Sequence, residues 1–92
     1  MQTDRKTALI TGSGQNIGRG IAHHLAAAGF NIIINGSSNR DAVESVADEV
    51  RAHGVTALVA MGTVGNKTEA ETIAETGIAH FGAIDVLVNN AA

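Results

Sequence analysis

The stretch that most constrains this chain is Thr11-Gly12-Ser13-Gly14-Gln15-Asn16-Ile17-Gly18-Arg19-Gly20. A short apolar run, Thr7-Ala8-Leu9-Ile10, leads into it, and an amphipathic segment, Ile17 to Ala28, follows it. A strand, a glycine-rich turn and a helix in that order are what a dinucleotide site requires, and the physical reason is anion binding. The first N–H groups of a helix have no internal partner, and the aligned peptide dipoles favour negative charge there. A diphosphate reaches those donors only where no side chain blocks it. Gly12 lets the chain turn sharply out of the strand, Gly14 leaves the loop bare, and Gly18 lets the helix lie close to the sheet. The spacing is Gly-x-Gly-x-x-x-Gly rather than the commoner Gly-x-Gly-x-x-Gly, and such turns also occur without a ligand. The strand before it and the helix after it are what favour a dinucleotide site.

The 92 residues make one small domain, long enough for a single core. Phe30 and Phe81 are its only aromatic residues, so the core must come from Ile, Val, Leu and Ala, which suits close packing of helices on a sheet. A net charge of −3 supplies no broad basic field, which argues against a nucleic-acid partner. With no cysteine, disulfides, thiolate chemistry and cysteine metal sites are excluded. The amino terminus, Met1-Gln2-Thr3-Asp4-Arg5-Lys6, is polar, and the apolar run after it is too short for a signal peptide or a membrane span. The expectation is a soluble cytoplasmic protein with no membrane partner and no metal.

Strand and helix alternate along the chain. Thr7–Thr11 is the first strand, apolar on both faces as a central parallel strand requires. The first helix carries Ile17, Ile21 and Leu25 four apart, and Gly29 stops it. Asn31–Asn35 is the second strand, and the distance from the first fits one right-handed βαβ crossover. After Gly36-Ser37-Ser38-Asn39, with Ser38 or Asn39 as cap, a second helix spans Arg40–His53 and presents Val43, Val46, Ala47 and Val50. Val55–Met61 is a third strand, less purely apolar and hence nearer a sheet edge. Asn66-Lys67-Thr68-Glu69 has the form of a capping box for a third helix, whose inward face is Ala70, Ile73, Ala74, Gly77, Ile78 and Phe81. Gly82 closes that helix, and Ile84–Asn89 is the fourth strand.

Thr11-Gly12-x-x-x-x-x-Gly18, together with Asn89-Asn90-Ala91-Ala92 after the fourth strand, resembles the short-chain dehydrogenase/reductase family, in particular its 3-oxoacyl-[acyl-carrier-protein] reductases. The resemblance covers the whole chain, with each motif on its expected element. It implies an α/β fold, a Rossmann-type doubly wound parallel sheet with strand order 3-2-1-4. It implies that Gly12, Ser13, Gly14, Gln15, Asn16, Ile17 and Gly18 wrap the diphosphate and adjoining ribose, and that Ser37 and Ser38 meet the adenosine 2′ position. Thr63 and Val64 lie against the adenine, and Asn90 and Ala91 beside its ribose, while Asn89 ties neighbouring strands together.

Three positions depart from the family pattern. Asn16 stands where a glycine is usual, and Asn tolerates positive φ at a cost of about 1 kcal/mol. Thr63 replaces an Asp that contacts the adenine amino group. Ala92 replaces a final glycine, which puts a methyl group near the cofactor. The cofactor reading is separate. NAD sites place a carboxylate at the end of the second strand, about 20 residues past the turn. Here Asn35-Gly36-Ser37-Ser38 stands instead, with no carboxylate before Asp41. NADP is favoured, with Ser37 and Ser38 as donors and Arg40 as either the cation or a solvated first-turn residue; NAD stays open. His23, His24, His53 and His80 have no acidic or histidine partner at ligand spacing and read as packing or surface residues. Glu69, Glu71 and Glu75 read as the solvated side of the third helix.

The resemblance further implies hydride transfer between the nicotinamide and a carbonyl or alcohol substrate, with a Tyr proton donor, a Lys four residues on and a Ser. The sequence contains no tyrosine. The expectation is therefore the amino-terminal, cofactor-binding part of a longer homo-oligomeric enzyme, inactive by itself and with the fourth strand's edge exposed to aggregation. Two other readings stay open. One is a non-catalytic module that holds a dinucleotide as a sensor. The other, weaker, is a methyltransferase, which would want an acid ending the second strand.

Overall fold

A computed structural model describes residues 5–91. Its elements are β1 (Thr7–Ile10), α1 (Asn16–Ala27), β2 (Asn31–Gly36), α2 (Arg40–Arg51), β3 (Ala57–Met61), α3 (Lys67–Phe81) and β4 (Val86–Val88). The four strands form one parallel sheet in the order β3-β2-β1-β4, as the resemblance implied. Leu9 stands opposite Ile33 on one side and Leu87 on the other, and Ile33 opposite Leu58. β3 lies at an edge, which its mixed composition predicted, and among the described residues β4 pairs only with β1.

Because side chains alternate across a strand, the two central strands feed two cores. Ala8, Ile10, Ile32 and Ile34 pack with Ala22 and Ala26 of α1 and with Val43, Val46, Ala47 and Val50 of α2. Leu9, Ile33 and Ala60 pack with Ile73 of α3 on the opposite face. Both faces of β1 and β2 are thus covered, which is why their sequences are continuous apolar runs rather than alternating ones.

Two helix faces differ from the sequence expectation. The buried line of α1 is Gly18, Ala22 and Ala26. Ile21 and Leu25 flank that line half-buried, and Ile17 is 72% exposed. The smallest residues face the sheet because they let the helix backbone approach it, and the large aliphatic residues fill the flanks. In α3, Ile73 and Gly77 are buried while Ile78 is 49% exposed. A Cβ on Gly77 would stand 2.5 Å from Ile33 Cδ1, so that helix also approaches the sheet through a small residue.

The helix starts follow the caps. Asn39 Oδ1 accepts from the Ala42 N–H at 3.1 Å, so Asn39 rather than Ser38 is the cap of α2. Asn66 Oδ1 accepts from the Glu69 N–H at 3.0 Å, which is the expected half of the capping box. The reciprocal half is absent, because Glu69 Oε1 accepts instead from the Thr63 N–H at 2.8 Å. Gly82 ends α3 in the left-handed region, at φ +88°. No helix among the described residues is long and apolar enough to cross a membrane.

Candidate dinucleotide site

The turn after β1 is built around Gly12, whose φ of +63° lies in the region that favours glycine. Its N–H donates to Asn35 Oδ1 at 3.1 Å, and its carbonyl accepts from Asn90 Nδ2 at 3.1 Å. Both backbone groups of the turn are therefore held, one from the end of β2 and one from the segment after β4. Gly18 lies directly beneath. A Cβ there would stand 2.3 Å from the Gly12 carbonyl oxygen and 2.9 Å from Ser13 Cα, so the start of α1 rests on the turn only because this residue has no side chain. Asn16, in the position of the usual glycine, takes φ +56° and is the only described non-glycine residue with positive φ. The departure at that position is absorbed as the chemistry of Asn predicts.

α1 begins without the device that the other two helices use. Gln15 at its N-cap makes no side-chain hydrogen bond to the helix, and no acidic residue occupies its first turn. Asn39 and Asn66 cap α2 and α3, and each of those first turns carries a carboxylate, Asp41 or Glu69. The positive end of α1 is left without a counter-charge or cap from its own first turn.

Two clefts meet in front of this helix start. One, of about 140 Å³, is lined by Gly12, Gly14, Gln15 and the β2–α2 loop from Gly36 to Asn39. The other, of about 170 Å³, is lined by Gly12, Asn35, Ser37, Ala91 and the Gly62–Gly65 loop after β3. Gly12 and Ser37 line both, so the clefts form one groove across the carboxyl ends of the strands. Among the sequence-predicted residues the groove gathers Gly12, Gly14, Gln15, Ser37, Ser38, Thr63, Val64 and Ala91. Asn16 and Ile17 lie exposed at the adjoining helix start.

Other predicted residues serve the frame rather than the opening. Ser13 is fully buried: its hydroxyl donates to the Ile10 carbonyl at 2.7 Å, and its N–H donates to the Asn35 carbonyl at 2.8 Å. Gly18 is buried under the turn. The Asn90 amide holds Gly12, and the Asn90 and Ala91 N–H groups donate to Thr11 Oγ1 at 2.9 and 3.0 Å. Asn89, expected to tie strands together, stands 3.5 Å from Thr11 Oγ1, so the closer tie is made by Asn90. The bare side of Gly14 faces Val43, whose Cγ2 would lie 3.1 Å from a Cβ there and 2.5 Å from one on Gly36. The glycine therefore admits the close approach of α2. Arg40 is paired with Glu44 at 3.1 Å on the exposed first turns of α2. Ala92, whose methyl group was the third departure, lies outside the described residues.

Sequence reasoning missed Asn35 and Glu69. Asn35 was read as the place where a carboxylate is absent, yet it is 2% exposed and fully engaged. A polar residue closing a run of buried isoleucines was the available signal. Glu69 is not simply solvated, since it fixes the Thr63 N–H. The histidines lie at the surface or half-buried, as expected, but His23 has partners that are distant in sequence. His23 Nδ1 lies 3.0 Å from His53 Nε2, and His23 Nε2 lies 2.8 Å from Glu49, which also accepts from Arg19 Nε at 2.8 Å. The partners come from α2 and the turn after it, 26 and 30 residues away, where no local spacing reveals them. Hydrogen bonds from Arg19 and then His23 lower the Glu49 carboxyl to about 2 and, in return, Glu49 raises the Arg19 guanidinium. Among the described residues no cluster of three or more metal-ligating groups occurs.

A model of the short chain dehydrogenase family matches residues 6–92. A 3-oxoacyl-[acyl-carrier-protein] reductase from Staphylococcus epidermidis is 38% identical over 86 residues, which is 94% of this chain and 35% of the relative. A hydroxysteroid dehydrogenase from Escherichia coli superposes with a TM-score of 0.88 at 34% identity, covering 99% of this chain and 40% of that one. A 3-oxoacyl-[acyl-carrier protein] reductase from Brucella melitensis does so at 0.88 and 35% identity, covering 97% and 35%. The chain spans about a third of the length of the curated relatives it matches. With the family's turn, helix start and sheet order all in place, the chain belongs to the short-chain dehydrogenase family.

Proposed function

We propose that this chain supplies the cofactor site of an NADP(H)-dependent oxidoreductase that transfers hydride between the nicotinamide and a small carbonyl or alcohol substrate. The observation that carries the proposal is the uncapped start of α1, set behind a glycine turn whose own N–H and carbonyl are already bonded. That leaves the helix-start amides from Gln15 to Gly18 as donors for a diphosphate. The residues present fit the group: a side chain at Gly18 would strike the turn, and the groove beside it runs on toward the loops after β2 and β3. Ser37 and Ser38 are exposed at the far wall and would donate to a 2′-phosphate. None of the described residues lining either cleft is acidic, which favours the phosphorylated cofactor. Val64 offers an apolar surface to the adenine, and Thr63 a hydroxyl. Asn90 and Ala91 border the adenine ribose. When bound, the nicotinamide supplies or accepts the hydride. We place the protein in the cytoplasm as a homo-oligomer, on the strength of the family alone.

The test is a titration of the full-length protein with NADPH and NADH by fluorescence or calorimetry. NADPH should bind about tenfold more tightly, and Ser37→Asp should reverse the order by setting a carboxylate against the 2′-phosphate. An NADH preference in the unaltered protein would overturn the cofactor reading, and binding of neither would overturn the site.

A further inference from the structure

Asn35 is the last strand residue before the glycine that ends β2, and it is buried to 2% exposure. Its side chain makes three hydrogen bonds that leave one orientation available. Oδ1 accepts from the Gly12 N–H at 3.1 Å, and Nδ2 donates to the Ala60 carbonyl at 2.9 Å and the Gly62 carbonyl at 3.2 Å. Turning the amide over would set an NH₂ against an N–H and an oxygen against two carbonyls. Its backbone is held as well, because the Asn35 N–H donates to Ser13 Oγ at 2.9 Å and its carbonyl accepts from the Ser13 N–H. One side chain thus joins the turn after β1 to the end of β3 and the start of the loop that carries Thr63. These are the two walls of the groove on either side of Ser37.

We propose that Asn35 is a positioning residue for dinucleotide binding: its amide sets the distance between the glycine turn and the β3–α3 loop, so that one rigid ligand can engage both. This rests on the cofactor reading above. It also means that a carboxylate at this position does not reach a ribose. The side chain points under the turn, so Asn35→Asp is not a route to NAD preference. An ionised Asp keeps the acceptor for Gly12 but presents negative oxygen to two carbonyls. A protonated Asp restores a donor to one of them.

The experiment compares the unaltered protein with Asn35→Asp and Asn35→Ala, measuring NADPH affinity from pH 5 to pH 8 at a temperature where circular dichroism shows each fully folded. The expected result is that Asn35→Asp binds within about threefold of the unaltered protein at pH 5 and loses about tenfold or more by pH 8, as the buried carboxyl ionises. Asn35→Ala should be weak at every pH, and neither variant should change the ratio of NADPH to NADH affinity. A residue that only stabilises the fold would lower Tm without creating this pH dependence. Should the variants not fold, hydrogen exchange in the unaltered protein decides. The Gly12 amide should be protected without cofactor and unchanged by it, whereas amides from Gln15 to Gly18 gain protection on binding. Equal affinity in Asn35→Asp across the range, or a Gly12 amide protected only by cofactor, overturns the inference. Failure of the unaltered protein to bind either dinucleotide overturns the cofactor reading instead.

Discussion

Gly18→Ala tests the contact on which the turn and α1 depend. A methyl group at this position would lie 2.3 Å from the Gly12 carbonyl oxygen, 2.7 Å from Asn90 Nδ2 and 2.9 Å from Ser13 Cα. The first distance falls more than 1 Å short of the roughly 3.5 Å at which such atoms are in favourable contact. Two of the three neighbours are backbone, so no rotamer change relieves them. The third can swing aside only by giving up its bond to Gly12. Overpacking costs about 1–3 kcal/mol and the lost hydrogen bond about 1 kcal/mol, giving a destabilisation of about 2–4 kcal/mol. Gly20→Ala is the control in the same helix. Nothing lies within 4 Å of a Cβ at that position, and the exchange should gain up to about 1 kcal/mol of helix propensity. Urea unfolding should therefore separate the two variants by about 2–5 kcal/mol at unchanged m-value. NADPH titration should show affinity lost in Gly18→Ala and kept in Gly20→Ala. If the two variants unfold at the same urea concentration and bind alike, α1 does not rest on the turn as described.

Three further outcomes follow from single contacts. The Glu49 carboxyl is held near 2, against an ordinary value of 4.5, by Arg19 and His23. Its folded-state value is depressed, so its stabilising effect is complete above pH 4.5 and lost as pH falls through 2. Acid titration followed by circular dichroism should show Glu49→Gln less sensitive than the unaltered protein in that window. Asn66→Ala removes the cap of α3 and should lower stability by about 1 kcal/mol, read by urea unfolding. Glu69→Ala frees the Thr63 N–H at the edge of the groove, and amide exchange at Thr63 should speed up while that at Ile33 stays unchanged.

What was legible in the sequence is what local chemistry decides. Continuous apolar runs announced central parallel strands, Ser38 or Asn39 and then Asn66 announced helix starts, and Gly82 a helix end. Gly12 and Gly18 marked the turn, and Asn16 fitted the one positive φ asked of a side chain. The misreadings share a different cause. Counting Ile17, Ile21 and Leu25 as the inner face of α1 assumed that the largest apolar residues go deepest. The closeness of helix to sheet instead put Gly18, Ala22 and Ala26 there. Ser13 was assigned by its place in a motif, but its hydroxyl was claimed by Asn35, 22 residues on. His23 met its partners only through the packing of α1 against α2. Such pairings depend on which elements become neighbours, and a window along the chain does not contain them.

Gly12 shows how the sheet order and the site require one another. In the order β3-β2-β1-β4, the chain moves outward from β1 through β2 to β3, then returns to the other side of β1 for β4. The helices after β1 and β2 therefore pack on one face of the sheet and the helix leading into β4 on the other, and the groove lies at the carboxyl ends of the strands. An open crevice by itself would leave the turn free to close over it. Here the turn is held from both directions, its N–H by Asn35 on the β2 side and its carbonyl by Asn90 on the β4 side. Thr11 Oγ1 fastens the β4 side again through the Asn90 and Ala91 N–H groups. With those groups committed, Gly12 has no backbone donor to offer, and the proposed diphosphate would have to use the uncapped amides that open α1. A ligand that binds them does not have to order the loop first. The ordering is done by folding, and this is what the proposed site would rely on, since no basic side chain lines the groove among the described residues.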